Sequence, residues 1–317
     1  MSLSPIAAAP PSRIAIATCA ELPNLDLDGP ALLSALSNRG VHAEPAIWDD
    51  PGVDWSRFDL IQIRSVFDYS QRRDEFVAWA SEVGDRLHNP PAIVEWNSDK
   101  RYLGELVAAG LPVIPTTYVA PGDPPPPLDG TVVVKPAVSA GGRDSGRFGP
   151  GSHAGAAELI RAIGASGRTA MVQPFQDSVE TTGEAALVYF GGQLSHTLRK
   201  GAVLPPDRVA PQLEALPGLT AAEAMFDPEL VRAGPAAPDE LDLGAAVIDY
   251  LTERFGGVPP LYARVDAVRG TSGDIPLIME IELIEPNFYF DRAPGAAERL
   301  AAAIVRRARR GGPPAAR

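Results

Sequence analysis

The residues of this chain best suited to chemistry are Arg264-x-Asp266 and Glu280-x-Glu282, near the C-terminal end. Residues two apart on a strand share a face. If LYARVDAVRG (261–270) and IPLIMEIELIEP (275–286) pair as a hairpin, Asp266, Glu280 and Glu282 converge with Arg264 beside them. Carboxylates crowded on one face repel each other unless a cation neutralises them. An all-oxygen set suits Mg²⁺, commonly held by one or two carboxylates plus the phosphates of a substrate. Arg264 then stabilises charge on a transferring phosphoryl group. The plainer reading is a solvated sheet face with ordinary ion pairs. Against it, Leu277, Ile278, Met279, Ile281, Leu283 and Ile284 make the second segment too apolar for a free surface.

A second stretch, VVVKPAVSAGGRDSGRF (132–148), ends a strand at Lys135 and runs into a glycine- and serine-rich loop. Glycines let backbone N–H groups approach phosphate oxygens, and Ser139 and Ser145 add hydroxyl donors. The Walker spacing and the dinucleotide fingerprint are both absent. Of 28 Lys plus Arg, only Lys100, Lys135 and Lys200 are lysines, in an Ala-, Gly-, Pro- and Arg-rich composition typical of GC-rich coding. A lysine kept against that bias marks a place where a compact ammonium serves and a planar guanidinium does not, such as a phosphate in a narrow pocket. Chance is the alternative for any one of them.

Positioning these groups falls to an alternation of elements. Segments 13–19, 41–48, 59–65 and 92–96 read as strands, and 28–39 and 72–83 as helices, giving a small α/β unit with a mainly parallel sheet. Ligands bind beyond the carboxyl ends of such strands, which singles out Arg64 and Ser65 as substrate candidates. An ion pair with Asp68 or another local carboxylate is the alternative for Arg64. Asn97–Lys100 opens a helix to about Ala109; 115–119, 131–136 and 170–175 read as strands and 153–164 as a helix. A hairpin is expected over 184–201, a helix over 241–256 and a terminal helix over 294–309; 202–240 is Pro-rich and irregular. The expected division is 1–97, 98–183 and 184–317.

The net charge of −12 argues against a nucleic-acid binder. The basic stretch Arg306, Arg307, Arg309 and Arg310 reads as a solvated last helical turn. No apolar run reaches the ~20 residues of a membrane helix, and no secretory signal is evident. With Cys19 as the single cysteine, the chain is expected in the cytoplasm. A homodimer is the default for a symmetric soluble enzyme.

In order along the chain, these pieces resemble an ATP-grasp ligase of the glutathione-synthetase and RimK-like group. The resemblance implies an N-terminal α/β domain followed by two α+β subdomains that clasp ATP. It implies that Lys100, Lys135, Ser139, Gly141 and Gly142 hold phosphates, that Gln173, Pro174 and Phe175 meet adenine, and that Glu180 binds ribose. Asp266, Glu280 and Glu282 would hold Mg²⁺, with Arg264 and Lys200 as catalytic cations. The implied reaction is phosphorylation of a carboxylate-like group on a small molecule, then attack by an amine. Glu282 stands where the family usually has Asn, which changes the charge of the metal site. Arg199 and Arg208 are further basic candidates toward an anionic substrate.

Several phrases resemble the branch containing the D-cycloserine-forming ligase: Arg64-Ser65 with Asp68-Tyr69, Trp96–Lys100, Gly183-Glu184, Ser195-His196 and Glu282–Pro286. This adds intramolecular ring closure as an alternative and antibiotic biosynthesis as a setting. His196 and Asn287 join the substrate candidates, with a plain strand histidine as the alternative for His196. A non-catalytic ATP-binding module and a periplasmic-type binding protein are the readings from other classes.

Overall fold

The computed structural model describes residues 13–201, 230–270 and 275–311. Strands β1 (Arg13–Thr18), β2 (His42–Ile47), β3 (Leu60–Ser65) and β4 (Leu87–His88) form a sheet in the order β2-β1-β3-β4. All its pairings are parallel. Strand β3 is buried along its whole length, as a strand covered on both faces must be. Helices α1 (Gly29–Ser37) and α2 (Arg73–Val83) connect the strands.

The fourth strand is not where the sequence pattern put it. Residues 92–96 lie in helix α3 (Pro91–Asn97), and the short β4 precedes them. Pro91 stands at the first helical turn, where its missing N–H costs nothing and its fixed φ suits a helix. A short apolar run does not separate strand from helix by period alone. The next helix, α4 (Tyr102–Ala108), starts two residues past Lys100, leaving that lysine on the connecting turn.

A second sheet is antiparallel, in the order β5-β8-β6-β7, from β5 (Thr117–Val119), β6 (Val132–Pro136), β7 (Gly146–Phe148) and β8 (Ala170–Pro174). Helix α5 (His153–Ala165) packs Ala156, Ile160 and Ile163 against Val132, Val134 and Phe148. Strand β7 was hidden in the glycine-rich stretch, since three residues starting with Gly146 carry no alternation to read.

The third sheet, also antiparallel, has the order β11-β10-β9-β12-β13: β9 (Glu184–Phe190), β10 (Gln193–Lys200), β11 (Val231–Ala233), β12 (Tyr262–Arg269) and β13 (Pro276–Glu282). A short α6 (Ser178–Thr181) precedes it, and α7 (Pro238–Arg254) covers one face with Leu243, Val247 and Leu251. Helix α8 (Ala296–Gly311) returns to the start of the chain, so Leu300 and Ile304 share a core with Leu32 and Leu36 of α1. Asn89 stitches the first and third sheets: its side chain donates to Tyr262 O (2.9 Å) and Leu283 O (2.8 Å) and accepts from Leu261 N (2.8 Å). Among the described residues no helix is long and apolar enough to cross a membrane.

Candidate active site

A cleft runs between the two antiparallel sheets, and all three lysines of the chain line it. Lys100 Nζ lies 3.0 Å from the Glu280 carboxylate and donates to Ser139 O at 2.7 Å. Lys135 projects from β6 and is held below the usual lysine pKa, first by burial, with Lys100 adding to the effect. Lys200 ends β10, pairing with Asp266 Oδ2 at 2.9 Å and with Glu184.

The acids sit on neighbouring strands of one sheet. Asp266 of β12 stands opposite Glu280 of β13, and Arg264 opposite Glu282. The pairing shifts register just past Asp266, so that Ala267 faces Ile278 and Met279 is the bulged residue, also at the cleft. On the other side Glu184 of β9 faces Lys200. Gly183 makes this possible: its φ is +77°, and a Cβ there would lie 2.8 Å from Lys200 O.

The electrostatics follow from how few cations serve how many acids. Burial alone would raise Asp266, but Arg264 and Lys200 reverse that and hold it well below the carboxylate range. Burial likewise opposes Glu280, and Lys100 and Lys135 bring it down. Glu184 is pushed up to about 7 by burial, because Asp266 competes for Lys200. Glu282 is raised to about 6, again by burial first, with Asp266 and Glu280 adding repulsion against the pull of Arg264.

Opposite the acids, Ser139, Gly141 and Gly142 line the cleft. Both glycines have positive φ, +62° and +69°, which allows two successive backbone N–H groups to turn toward it. Arg143 reaches from this loop to Phe67 O at 2.9 Å, linking it to the parallel-sheet region. Gln173, Pro174 and Phe175 form the far wall.

The cleft thus brings together Lys100, Lys135, Ser139, Gly141, Gly142, Gln173, Pro174, Phe175, Lys200, Asp266, Glu280, Glu282 and Asn287. Six candidates stand elsewhere, among them Arg199, which pairs with Glu240 at 2.5 Å. Arg64 and Ser65 are buried at 1% and 0% exposure and do not line the cleft. Arg64 donates to Asp26 (2.7 Å), Asp28 (2.8 Å) and Pro286 O, and Ser65 Oγ accepts from Asp26 N (3.1 Å). Arg64 does sit in an ion pair, but its partners are the sequence-distant Asp26 and Asp28 and not Asp68 or another local carboxylate. His196 is tied to Phe288 O (2.8 Å) and Ser195 (3.0 Å), as a strand histidine is. Glu180 stands next to the cleft-lining Val179 but pairs with Arg147 at 2.6 Å. Arg264 lies behind the acids, bonded to Asp266 (2.8 Å), Glu282 and Asn287 O (3.1 Å). Arg208 lies outside the described residues.

Glu184, Glu285, Phe67, Tyr69 and Arg143 also line the cleft and received no role from sequence. For Glu184 a signal existed in Gly183-Glu184: a glycine before an acid that opens a hairpin facing Lys200. Tyr69 belongs to the Asp68-Tyr69 phrase quoted for the resemblance but had no role there, and Phe67 beside it carries no sequence signal.

Among the described residues no three His, Cys, Asp or Glu side chains close into a ready metal cage. Mg²⁺ does not require one, because waters and phosphate oxygens complete its octahedron. The opposed Asp266 and Glu280 offer the oxygen donors such an ion takes.

The profile described as "D-cycloserine synthetase DcsG, N-terminal domain" matches residues 14–89. The cycloserine biosynthesis protein DcsG of Streptomyces lavendulae is 34% identical over 306 residues, covering 93% of this chain and 98% of that protein. The chain belongs to the ATP-grasp ligases, on the DcsG branch. The crystal structure of D-cycloserine synthetase DcsG superposes with a TM-score of 0.82 at 33% identity, covering 95% of this chain and all (100%) of that one. The RimK-domain ATP-grasp protein of Sphaerobacter thermophilus gives a TM-score of 0.62 at 18% identity over 93% of this chain and 100% of that one, a likeness of fold. As an ATP-grasp ligase the chain is an ATP-dependent enzyme.

Proposed function

We propose that this ligase activates a carboxylate-like or ureido group of a small amino-acid-like molecule by phosphorylation and forms a carbon–nitrogen bond, in antibiotic biosynthesis. The observation that carries this reading is the gathering of every lysine of the chain opposite the acids of β9, β12 and β13. Lys100 and Lys135 bind the phosphates, with the Gly141-Gly142 backbone and Ser139. Gln173, Pro174 and Phe175 seat adenine. Asp266, Glu280 and Glu282 would hold Mg²⁺, which when bound neutralises phosphate charge. Arg264 orients Asp266 and Glu282 from behind, and Lys200 steadies Asp266 while presenting charge to the transferring group. The glycine-rich loop, through Arg143, excludes water that would hydrolyse the activated group.

Ring closure within one substrate is favoured over joining two by the likeness to D-cycloserine synthetase, which covers 93% of this chain in sequence and 95% in structure. The test is ADP release with Mg–ATP against D- and L-amino acids, amino acids with ureido or aminooxy side chains, and dipeptides, with products read by mass spectrometry. Cyclised product from a single substrate supports ring closure; a product containing two substrates refutes it. ADP release with none of these compounds would sink the reading.

A further inference from the structure

Each cleft acid but one has a cation. Glu280 has Lys100, Asp266 has Lys200 and Arg264, Glu184 has Lys200, and Glu282 has Arg264. Glu285, three residues past Glu282 on the loop after β13, also lines the cleft and makes no ion pair with any described residue. Two residues further on, Asn287 is 4% exposed and lines the same cleft, and its side-chain carbonyl Oδ1 has no hydrogen-bond partner. The aromatic rings of Phe67 and Tyr69 stand at the cleft too. Of all the acids, Glu285 bears most strongly on Tyr69.

A half-buried carboxylate without an ion pair and a buried carbonyl without a donor are both costly. Side by side they are acceptors waiting for a positively charged donor. The loop is not loosely placed: Arg64 holds Pro286 O and Arg264 holds Asn287 O. That rigidity makes the two acceptors a built site. We propose that Glu285 and Asn287 bind the ammonium group of an amino-acid-like substrate, with Phe67 and Tyr69 as its aromatic wall. This rests on the ligase reading above and names the charge on its substrate. A metal ion fits less well: Mg²⁺ dehydrates reluctantly and prefers rigid oxygen octahedra, whereas an ammonium suits a carboxylate, an amide oxygen and aromatic faces. Burial, with repulsion from Glu282 outweighing the pull of Lys100, holds the Glu285 carboxyl well above the ordinary range, and an arriving ammonium would favour its charged form.

The test uses the full chain saturated with Mg²⁺ and AMP-PNP. D-serine, L-serine and amino acids with ureido or aminooxy side chains are added, each beside its N-acetyl form, and thermal shifts are read. At least one free amino compound should raise Tm by about 2 °C or more, and its N-acetyl form should not. Glu285→Gln should abolish that shift while keeping the AMP-PNP shift and the Mg²⁺ dependence of AMP-PNP binding. The ligand-free variant should melt no lower than the parent, because a neutral amide replaces a half-buried carboxyl that makes no ion pair. Asn287→Ala should weaken the same shift. The proposal is overturned by equal shifts from N-acetyl forms, by a retained shift in Glu285→Gln, by an altered Mg²⁺ dependence in that variant, by its melting several degrees lower, or by no amino compound shifting a protein that AMP-PNP does shift. No shift with AMP-PNP itself instead overturns the ATP-cleft reading, and this proposal with it.

Discussion

Two arginines, Arg64 and Arg264, are each 1% exposed, each pair with two carboxylates, and hold the neighbouring carbonyls Pro286 O and Asn287 O. Their surroundings differ. The acids of Arg64, Asp26 and Asp28, stay out of the cleft, and Asp28 is further saturated by the backbone N–H groups of Phe288 (3.0 Å), Tyr289 (3.0 Å) and Phe290 (2.9 Å). The acids of Arg264, Asp266 and Glu282, line the cleft. The same ionic unit is a fastening in one place and a support for chemistry in the other. What separates them is whether the acids have lone pairs left for a ligand.

Breaking the second unit should hit turnover hardest. Glu280→Gln and Asp266→Asn are expected to lower ADP release by ~10²–10³-fold or more, the scale of losing one preorganised charge-stabilising group, with circular dichroism unchanged. Near-parental rates in both variants would remove the acids from the mechanism.

Breaking the first unit should cost stability. Arg64→Met leaves Asp26 and Asp28 buried without their cation, a loss of about 3–5 kcal/mol. Urea unfolding measures it, and AMP-PNP affinity of the folded fraction should stay at the parental value. A variant as stable as the parent would show that the backbone donors around Asp28 suffice alone.

Lys135→Ala touches neither arginine. It should weaken AMP-PNP binding by ~10–100-fold, the scale of a charged hydrogen bond, read by calorimetry.

The smallest effect is a difference of sign with pH. Burial, stronger than its pairing to Arg64, raises the pKa of Asp26, so its folded form prefers the proton. Its contribution is present below the unfolded value of about 3.8 and is lost as pH rises through the higher folded value. Asp266 is lowered, so its contribution is present above 3.8 and is lost as pH falls toward its folded value. Melting curves from pH 2.5 to 7 should therefore show Asp26→Asn losing less stability than the parent as pH rises above about 4, and Asp266→Asn flattening the acid limb below it. Curves parallel to the parent in both variants would mean that neither shift exists.

The hairpin of β12 and β13 was legible from period-two patterning, and so was the shared face of Asp266, Glu280 and Glu282. The lysine bias pointed to Lys100, Lys135 and Lys200 with no structural information. Strand β4 and helix α3 were not legible, because two-residue strands and short apolar runs carry no period. Arg64 read as a strand-end ligand because its partners, Asp26 and Asp28, are distant in sequence.

Sequence by itself determined which residue types were available and which neighbours shared a face, because strand and helix periods are local. It also fixed the family, through an ordered set of motifs along the chain. Only tertiary structure decided which charges were already spent. Pairing depends on distances between segments far apart in the chain, and that sum left Arg64 fully engaged, Arg264 behind its acids, and Glu285 lining the cleft without an ion pair among the described residues.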